Sequence, residues 1–212
     1  VTLAPHYFSP HPETPLRPRT IRFNDRDREY RFVTAAGVFS RGAVDRGTRL
    51  LLDAARPQDA GRILDLGCGY GAVGIVMAAR APHAHVVLAD VNARAVQLAA
   101  ENIRRNGIAN AEARVADGCR PVAGVPFDLI LLNPPIRAGR EVVLRLLRES
   151  WGCLRPGGRL YLVARTSQGA RTLGRALAQI FGEVREVERG GGFRVYEARR
   201  AGARPAEEGH RV

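Results

Sequence analysis

Arg62-Ile63-Leu64-Asp65-Leu66-Gly67-Cys68-Gly69-Tyr70-Gly71 is a short apolar run that breaks into alternating glycines. Arg62 to Leu66 reads as a buried strand. The glycines after it allow a tight turn and let a ligand approach the backbone, next to the N-terminus of a helix predicted over Ala72 to Arg80. A related glycine turn in dinucleotide-binding proteins has the spacing G-x-G-x-x-G. Here the spacing is G-x-G-x-G, and a carboxylate, Asp65, stands two residues before the first glycine. A carboxylate there repels a pyrophosphate and suits a ligand with a cationic amino-acid end.

Outward from this unit the pattern repeats. Strands are predicted at Ala84 to Ala89, Ala111 to Ala116, Phe127 to Leu132 and Arg159 to Ala164. Helices are predicted at Ala93 to Asn106, capped by Gly107, at Gly139 to Leu154, ended by Pro156-Gly157-Gly158, and at Gln168 to Phe181. Two consecutive strands, Glu183 to Glu188 and Phe193 to Arg199, close the series as an antiparallel hairpin. Alternation of strand and helix predicts a mostly parallel seven-stranded sheet with helices on both faces, a Rossmann-like α/β fold. On the N-terminal side, Thr20 to Asn24 and Glu29 to Thr34 flank a turn and form a second hairpin. Gly37 to Ser40 is a loop, and Asp45 to Arg56 a helix stopped by Pro57. The organisation is an N-terminal extension with a short hairpin (1–40), one α/β domain (41–200) and a flexible tail (201–212).

Acidic residues recur at the strand ends. Asp90, with Val91 beside it, follows the second strand of the series, 23 residues after Gly67. That is where an acid takes the hydroxyls of a cofactor ribose. Asp117-Gly118 follows the third strand and is positioned for an adenine amino group. Taken singly, Asp90 or Asp117 also reads as a helix cap or turn former. Asn133-Pro134-Pro135-Ile136 follows the fourth strand directly. Each proline fixes its own φ, and Pro135 keeps Pro134 out of the α region, so the carbonyls of Asn133 and Pro134 can turn into a cleft. An amide nitrogen or an exocyclic amine on a base has a delocalised lone pair. Two acceptors on its N–H groups orient that pair for attack on a methyl carbon without a strong base.

These residues together resemble the amino-group methyltransferases, and more fully the "methyltransferase small domain" group that includes the 16S ribosomal RNA guanine-N2 methyltransferases. The stretches that carry the resemblance are Phe32-Val33-Thr34, Gly37-Val38-Phe39-Ser40, Asp45-x-Gly47-x-x-Leu50-Leu51 and Asn133-Pro134-Pro135-Ile136-Arg137-Ala138-Gly139, within residues 5–200. The resemblance implies a methyltransferase domain over 41–200. It implies S-adenosylmethionine at Asp65, Gly67, Gly69, Asp90, Val91, Asp117, Gly118 and Asn133, and catalysis at Asn133 and Pro134. It implies Phe39, Ser40, Pro135, Ile136 and Arg137 on the substrate side. Two departures stand out. The ribosomal enzymes carry a degenerate second copy of the domain in front, for which this chain has no room. Ile136 also stands where many Asn-Pro-Pro enzymes have an aromatic that stacks on the target base.

Composition bounds the partners. The net charge is +12, every basic residue is arginine, and residues 136–212 hold 16 arginines against 8 acids. A polyanion such as ribosomal RNA or a ribosomal particle is the natural partner of such a surface, although an arginine-rich proteome gives the same composition. Arg137, Arg145, Arg148 and Arg155 are read as one side of a helix that could track phosphates or simply face solvent. Cys68, Cys119 and Cys153 are odd in number and widely spaced. They suggest neither a disulfide framework nor a metal site, and they fit a reducing cytoplasm. Cys68 reads as a small residue chosen for fit, and Trp151 as core. No apolar run has the length of a membrane span. A monomer or homodimer is expected. The competing readings are a protein glutamine amide methyltransferase and an RNA-binding ribosome assembly factor without turnover.

Overall fold

The computed structural model describes residues 17–38, 42–57, 60–122 and 124–201. The chain runs β1 (Arg19–Asp25), β2 (Arg28–Thr34), α1 (Arg46–Ala54), β3 (Ala60–Leu66), α2 (Ala72–Arg80), β4 (His83–Asp90), α3 (Ala93–Arg105), β5 (Ala111–Val115), β6 (Phe127–Leu132), α4 (Arg140–Cys153), β7 (Leu154–Arg165), α5 (Ala170–Phe181), β8 (Glu183–Gly190) and β9 (Phe193–Arg199). β3 to β9 form one sheet in the order β5-β4-β3-β6-β7-β9-β8, while β1 and β2 pair separately. The first five of these strands are parallel to their neighbours. β9 inserts antiparallel between β7 and β8. The Rossmann-like sheet with a C-terminal hairpin is therefore as expected.

Period-two alternation sorts the strands' side chains into two cores. Ile63, Leu129, Leu131 and Val163 join α1, α2 and α3 on one side. Leu64, Ile130, Leu132 and Leu162 join α4 and α5 on the other. The strand order turns outward in both directions from β3 and β6, so the sheet's ligand crevice lies where these two strands end.

The hairpin β1–β2 is anchored to this frame. Ile21, Phe23, Tyr30 and Phe32 are buried in the same core as α2 and α3. The carboxylate of Asp25 takes a two-pronged ion pair from Arg80 at the end of α2, with both side chains buried. Two asparagines one turn apart, Asn102 on α3 and Asn106 at its C-cap, then act as a surrogate strand. Asn102 accepts from the Val33 N–H at 2.7 Å and donates to the Val33 carbonyl at 2.8 Å and the Tyr70 carbonyl at 2.9 Å. Asn106 does the same for the N–H and carbonyl of Arg31, each at 3.0 Å.

Several sequence expectations are corrected. The first helix starts at Arg46 with Asp45 as its N-cap. The last begins at Ala170, after a single 3-10 turn. Pro156-Gly157-Gly158 is not a loop between helix and strand. Leu154 already pairs with Phe127, and the next paired residue is Arg159, so the segment is a bulge inside β7. Arg200 accepts from Gly157 and donates to Gly158 across it. Cys119 and Cys153 are joined by a disulfide, because the end of α4 returns over the segment after β5. Cys68 is free and buried. Trp151 is exposed rather than core, with the Arg200 guanidinium 4.4 Å from its ring centre. The tail beyond residue 201 lies outside the described residues. Among those described, no helix is long and apolar enough to cross a membrane.

Replacing Asn102 by Ala removes three buried hydrogen bonds to the backbone, whereas replacing Asn106 removes bonds at groups that water can reach. Urea unfolding should therefore give a loss of about 2–5 kcal/mol for Asn102→Ala and under about 1 kcal/mol for Asn106→Ala. Equal losses would mean that the amide clamp is not what holds the hairpin.

Candidate active site

A cleft of about 770 Å³ opens at the carboxyl ends of the parallel strands. Its floor is the turn after β3. Gly67 and Cys68 donate to the Ala89 carbonyl at 2.8 and 3.0 Å, which ties the turn to β4. Gly67 has φ 75°, which glycine adopts freely and other residues rarely do, and a Cβ there would meet nothing within 4 Å, so the turn leaves open space beside it. Gly71 is needed for a different reason: a Cβ there would press on Leu88 at 2.9 Å.

Two carboxylates stand beside this turn. Asp65 is 3% exposed and accepts one bond, from the Gly74 N–H at 2.8 Å. Burial pushes its pKa up to about 7; the Gly74 bond opposes the shift and the charge of Asp90 adds to it. Asp90 accepts from Gly69 N–H through one oxygen and from Asn92 N–H through the other, both at 2.9 Å. Burial raises its pKa, and the bonds from Asn92 and Gly69 restrain the rise. Val91 lines the cleft next to it.

Asp117 and Gly118 line the same cleft, but Asp117 does not stand alone. Arg145 reaches it at 2.5 Å while holding Glu149 at 3.0 Å. A Cβ on Gly118 would strike the Glu149 carboxylate. This corrects the proposed arginine row. Arg145 is engaged inside the site, Arg155 is paired with Asp128, and Arg137 and Arg155 fall outside α4. Arg137 and Arg148 are exposed.

The opposite lip is Asn133-Pro134-Pro135. Pro135 sits at φ −75°, ψ 75°, an inverse γ-turn in which the Ile136 N–H donates to the Pro134 carbonyl at 2.9 Å. One lone pair of that carbonyl therefore serves the turn, which narrows the expectation of a free acceptor. Asn133 Nδ2 donates to Thr48 Oγ1 at 3.2 Å. Pro135, Ile136 and Arg137 continue the wall. Phe39 and Ser40 lie outside the described residues.

The cleft also holds residues that the motif reading did not assign: Asp45, Thr48, Arg165 and Phe193. The Arg165 guanidinium lies 5.2 Å from the Phe193 ring centre. Phe193 packs so closely on α1 that a Cβ at Gly47 would meet its ring at 2.8 Å. The signal for α1 was Asp45-x-Gly47 and the Thr48 that follows it. Phe193 comes from the far end of the chain, and its approach to the site depends on β9 inserting beside β7.

The methyltransferase small domain family matches residues 29–197. The chain belongs to this family. It is 36% identical over 200 residues to YbxB of Bacillus subtilis (strain 168), covering 93% of this chain and all of that protein. It is 37% identical over 181 residues to ribosomal RNA small subunit methyltransferase C of Pseudomonas aeruginosa (strain UCBPP-PA14), covering 82% of this chain and 52% of that one. Among solved structures, the T. thermophilus 16S rRNA N2 G1207 methyltransferase RsmC, in complex with AdoMet and guanosine, superposes with a TM-score of 0.77 at 27% identity. That match covers 89% of this chain and 52% of RsmC. The chain thus spans about half the length of the methyltransferase C relatives.

The burial of Asp65 has a measurable consequence. Its folded pKa lies above its unfolded value, so the native state holds the extra proton. Stability from this group is greatest at low pH and is lost as pH rises from about 4 to about 7. Asp65→Asn keeps an acceptor for Gly74 and removes the titration. Its stability relative to the parent should grow by up to about 1.4 kcal/mol per pH unit in that window and level off above it. A difference that does not change with pH would show that Asp65 carries no such burden.

Proposed function

We propose that this chain is an S-adenosylmethionine-dependent N-methyltransferase whose acceptor is the exocyclic N2 amine of a guanine in ribosomal RNA. The carrying observation is that Asn133-Pro134-Pro135 lies on the same cleft as Asp65, the glycine turn and Asp90. The methyltransferase C relatives and the guanosine complex of RsmC support the choice of acceptor.

The residues fit the cofactor. Asp65 is a buried carboxylate with one hydrogen bond, and a cationic ligand group supplies the missing compensation. Gly67 and Gly69 leave backbone approachable. Asp90, already oriented by two N–H donors and flanked by Val91, would hold the ribose hydroxyls, and Asp117 with Gly118 would border the adenine. S-adenosylmethionine supplies an electrophilic methyl group on a sulfonium. Asn133 Oδ1 accepts an N–H of the substrate amine, and the second lone pair of the Pro134 carbonyl can take the other. The amine's lone pair is thereby aimed, and its proton leaves to water after transfer, so no strong base is required. Pro135, Ile136 and Arg137, with Phe39 and Ser40, would form the acceptor side, and exposed Arg137 and Arg148 would meet phosphates. A guanine paired in a duplex cannot present N2 to this cleft, so the base must be unpaired or extruded. The partner would be ribosomal RNA or a ribosomal particle, met in the cytoplasm by a monomer or homodimer.

Calorimetry should show S-adenosylmethionine binding weakened about tenfold to a hundredfold by Asp90→Ala. Asn133→Ala should leave that affinity within about twofold and abolish most methyl transfer. Parental turnover in Asn133→Ala would refute the mechanism. Mass-spectrometric mapping of RNA from cells with and without the gene should locate a missing N2-methylguanine. RNA binding should weaken with salt, with a slope that Arg137→Ala and Arg148→Ala each reduce by up to about one. A methyl group found on a protein glutamine, with ribosomal RNA unchanged, would replace the RNA reading.

A further inference from the structure

Thr48 Oγ1 lies between two polar groups. On one side it is 2.5 Å from Asp45 Oδ2, and on the other 3.2 Å from Asn133 Nδ2. Asp45 Oδ1 is meanwhile occupied as the N-cap of α1, accepting from Gly47 N–H at 2.9 Å and Thr48 N–H at 3.2 Å. Thr48 is buried, at 6% exposure. A threonine hydroxyl has a single proton, and a carboxylate can only accept. The short contact to Asp45 therefore takes that proton, as charge-assisted bonds of this length do. What Thr48 offers to Asn133 is a lone pair, which only the NH2 end of the amide can satisfy.

We infer that Asp45 and Thr48 are positioning residues that fix which end of the Asn133 side chain faces the substrate. With Nδ2 held by Thr48, Oδ1 is the end left for the acceptor amine. This rests on the reading of Asn133 as the acceptor of a substrate N–H. Turned the other way, Asn133 would present an NH2 group to the substrate's NH2 group, donor against donor. Nothing in the carboxamide itself chooses between the two orientations, since its two ends have nearly the same shape. The choice is made at the start of α1, through Thr48, by an acid whose other oxygen caps the helix.

Asp45→Asn tests this without removing the cap. The Asn carbonyl oxygen can still accept from Gly47 and Thr48 N–H, but its NH2 now donates to Thr48 Oγ1. The hydroxyl proton is released toward Asn133, and the amide is driven to turn. Three variants of the full chain carry the test: Asp45→Asn, Thr48→Val and Thr48→Ser. Two readouts are taken, steady-state methylation of a guanine-containing RNA and the side-chain amide NMR signals of Asn133, assigned by their disappearance in Asn133→Ala. Asp45→Asn and Thr48→Val should lower kcat about tenfold to a hundredfold with KM for RNA within about twofold. Thr48→Ser should restore most of the loss seen in Thr48→Val. The Asn133 amide protons should shift in Asp45→Asn and Thr48→Val but not in Thr48→Ser. Thermal unfolding of Asp45→Asn should stay close to the parent, and S-adenosylmethionine affinity should be unchanged in all three. If the parent methylates no RNA, the substrate reading fails while the NMR pattern still decides the relay. Asn133 signals indifferent to Asp45→Asn, or parental kcat in that variant, would overturn the inference.

Discussion

A sheet covered by helices on both faces has nowhere to put polar chemistry except its ends. Ile63 and Leu64, or Leu131 and Leu132, are neighbours in sequence that enter opposite cores. Neither face of β3 or β6 can then carry a ligand. Backbone groups at the carboxyl ends of these strands still need partners, and here the parallel strands diverge around β3 and β6. The glycine turn, Asp65, Asp90 and Asn133 are all consequences of that geometry. Each sits at a strand end or within a few residues of one.

The site's electrostatics run against those of the whole chain. The protein carries a net charge of +12, yet the cleft contains Asp45, Asp65, Asp90 and Asp117. Asp65 and Asp90 are held largely out of water, and burial raises the pKa of both. Buried carboxylates held this way favour a cation, while Arg137 and Arg165 on the same cleft and the chain's arginine excess favour phosphates. The division fits the proposed reaction, which brings a sulfonium and a polyanion to one place without bringing them to the same subsite. Arg145 marks the boundary. It spends its charge on Asp117 and Glu149, so it stiffens the cleft wall and contributes little to the outer field.

Most of the architecture was legible because it is local. The Arg62 to Leu66 run, the glycines after it and the alternation of periods determine strands and helices over a few residues. That Asp65, Gly67, Gly69, Asp90 and Asp117 meet on one cleft was legible for the same reason, since each is counted from a strand end. What escaped the sequence depends on distant pieces meeting. The Cys119–Cys153 bridge needs α4 to fold back over the segment after β5. The Pro156–Gly158 bulge looks like a loop until Leu154 is seen paired with Phe127. Asn102 and Asn106 read as ordinary polar residues on a helix, and only the approach of β2 gives them a strand to complete. Arg145 and Arg155 read as part of a row that tracks phosphates or faces solvent, because Asp117 and Asp128, which pair with them, are remote in sequence.

The two sides of the cleft are organised by different means. On the proposed cofactor side the backbone does the placing: Gly67 and Cys68 are fixed to Ala89, and Asp90 is fixed by Gly69 and Asn92. These contacts survive many side-chain changes but not a change of backbone conformation. On the proposed acceptor side the placing is done by side chains of α1 and its N-cap, a helix that reaches the site because Leu51 and Leu52 are buried in the core and Gly47 admits Phe193. The orientation of Asn133 is thus set by the docking of an element some 85 residues away in sequence. Chemistry that depends on which end of one amide faces a substrate is in this way tied to the tertiary fold. The Asn-Pro-Pro turn alone specifies where the amide stands, and α1 specifies how it is turned.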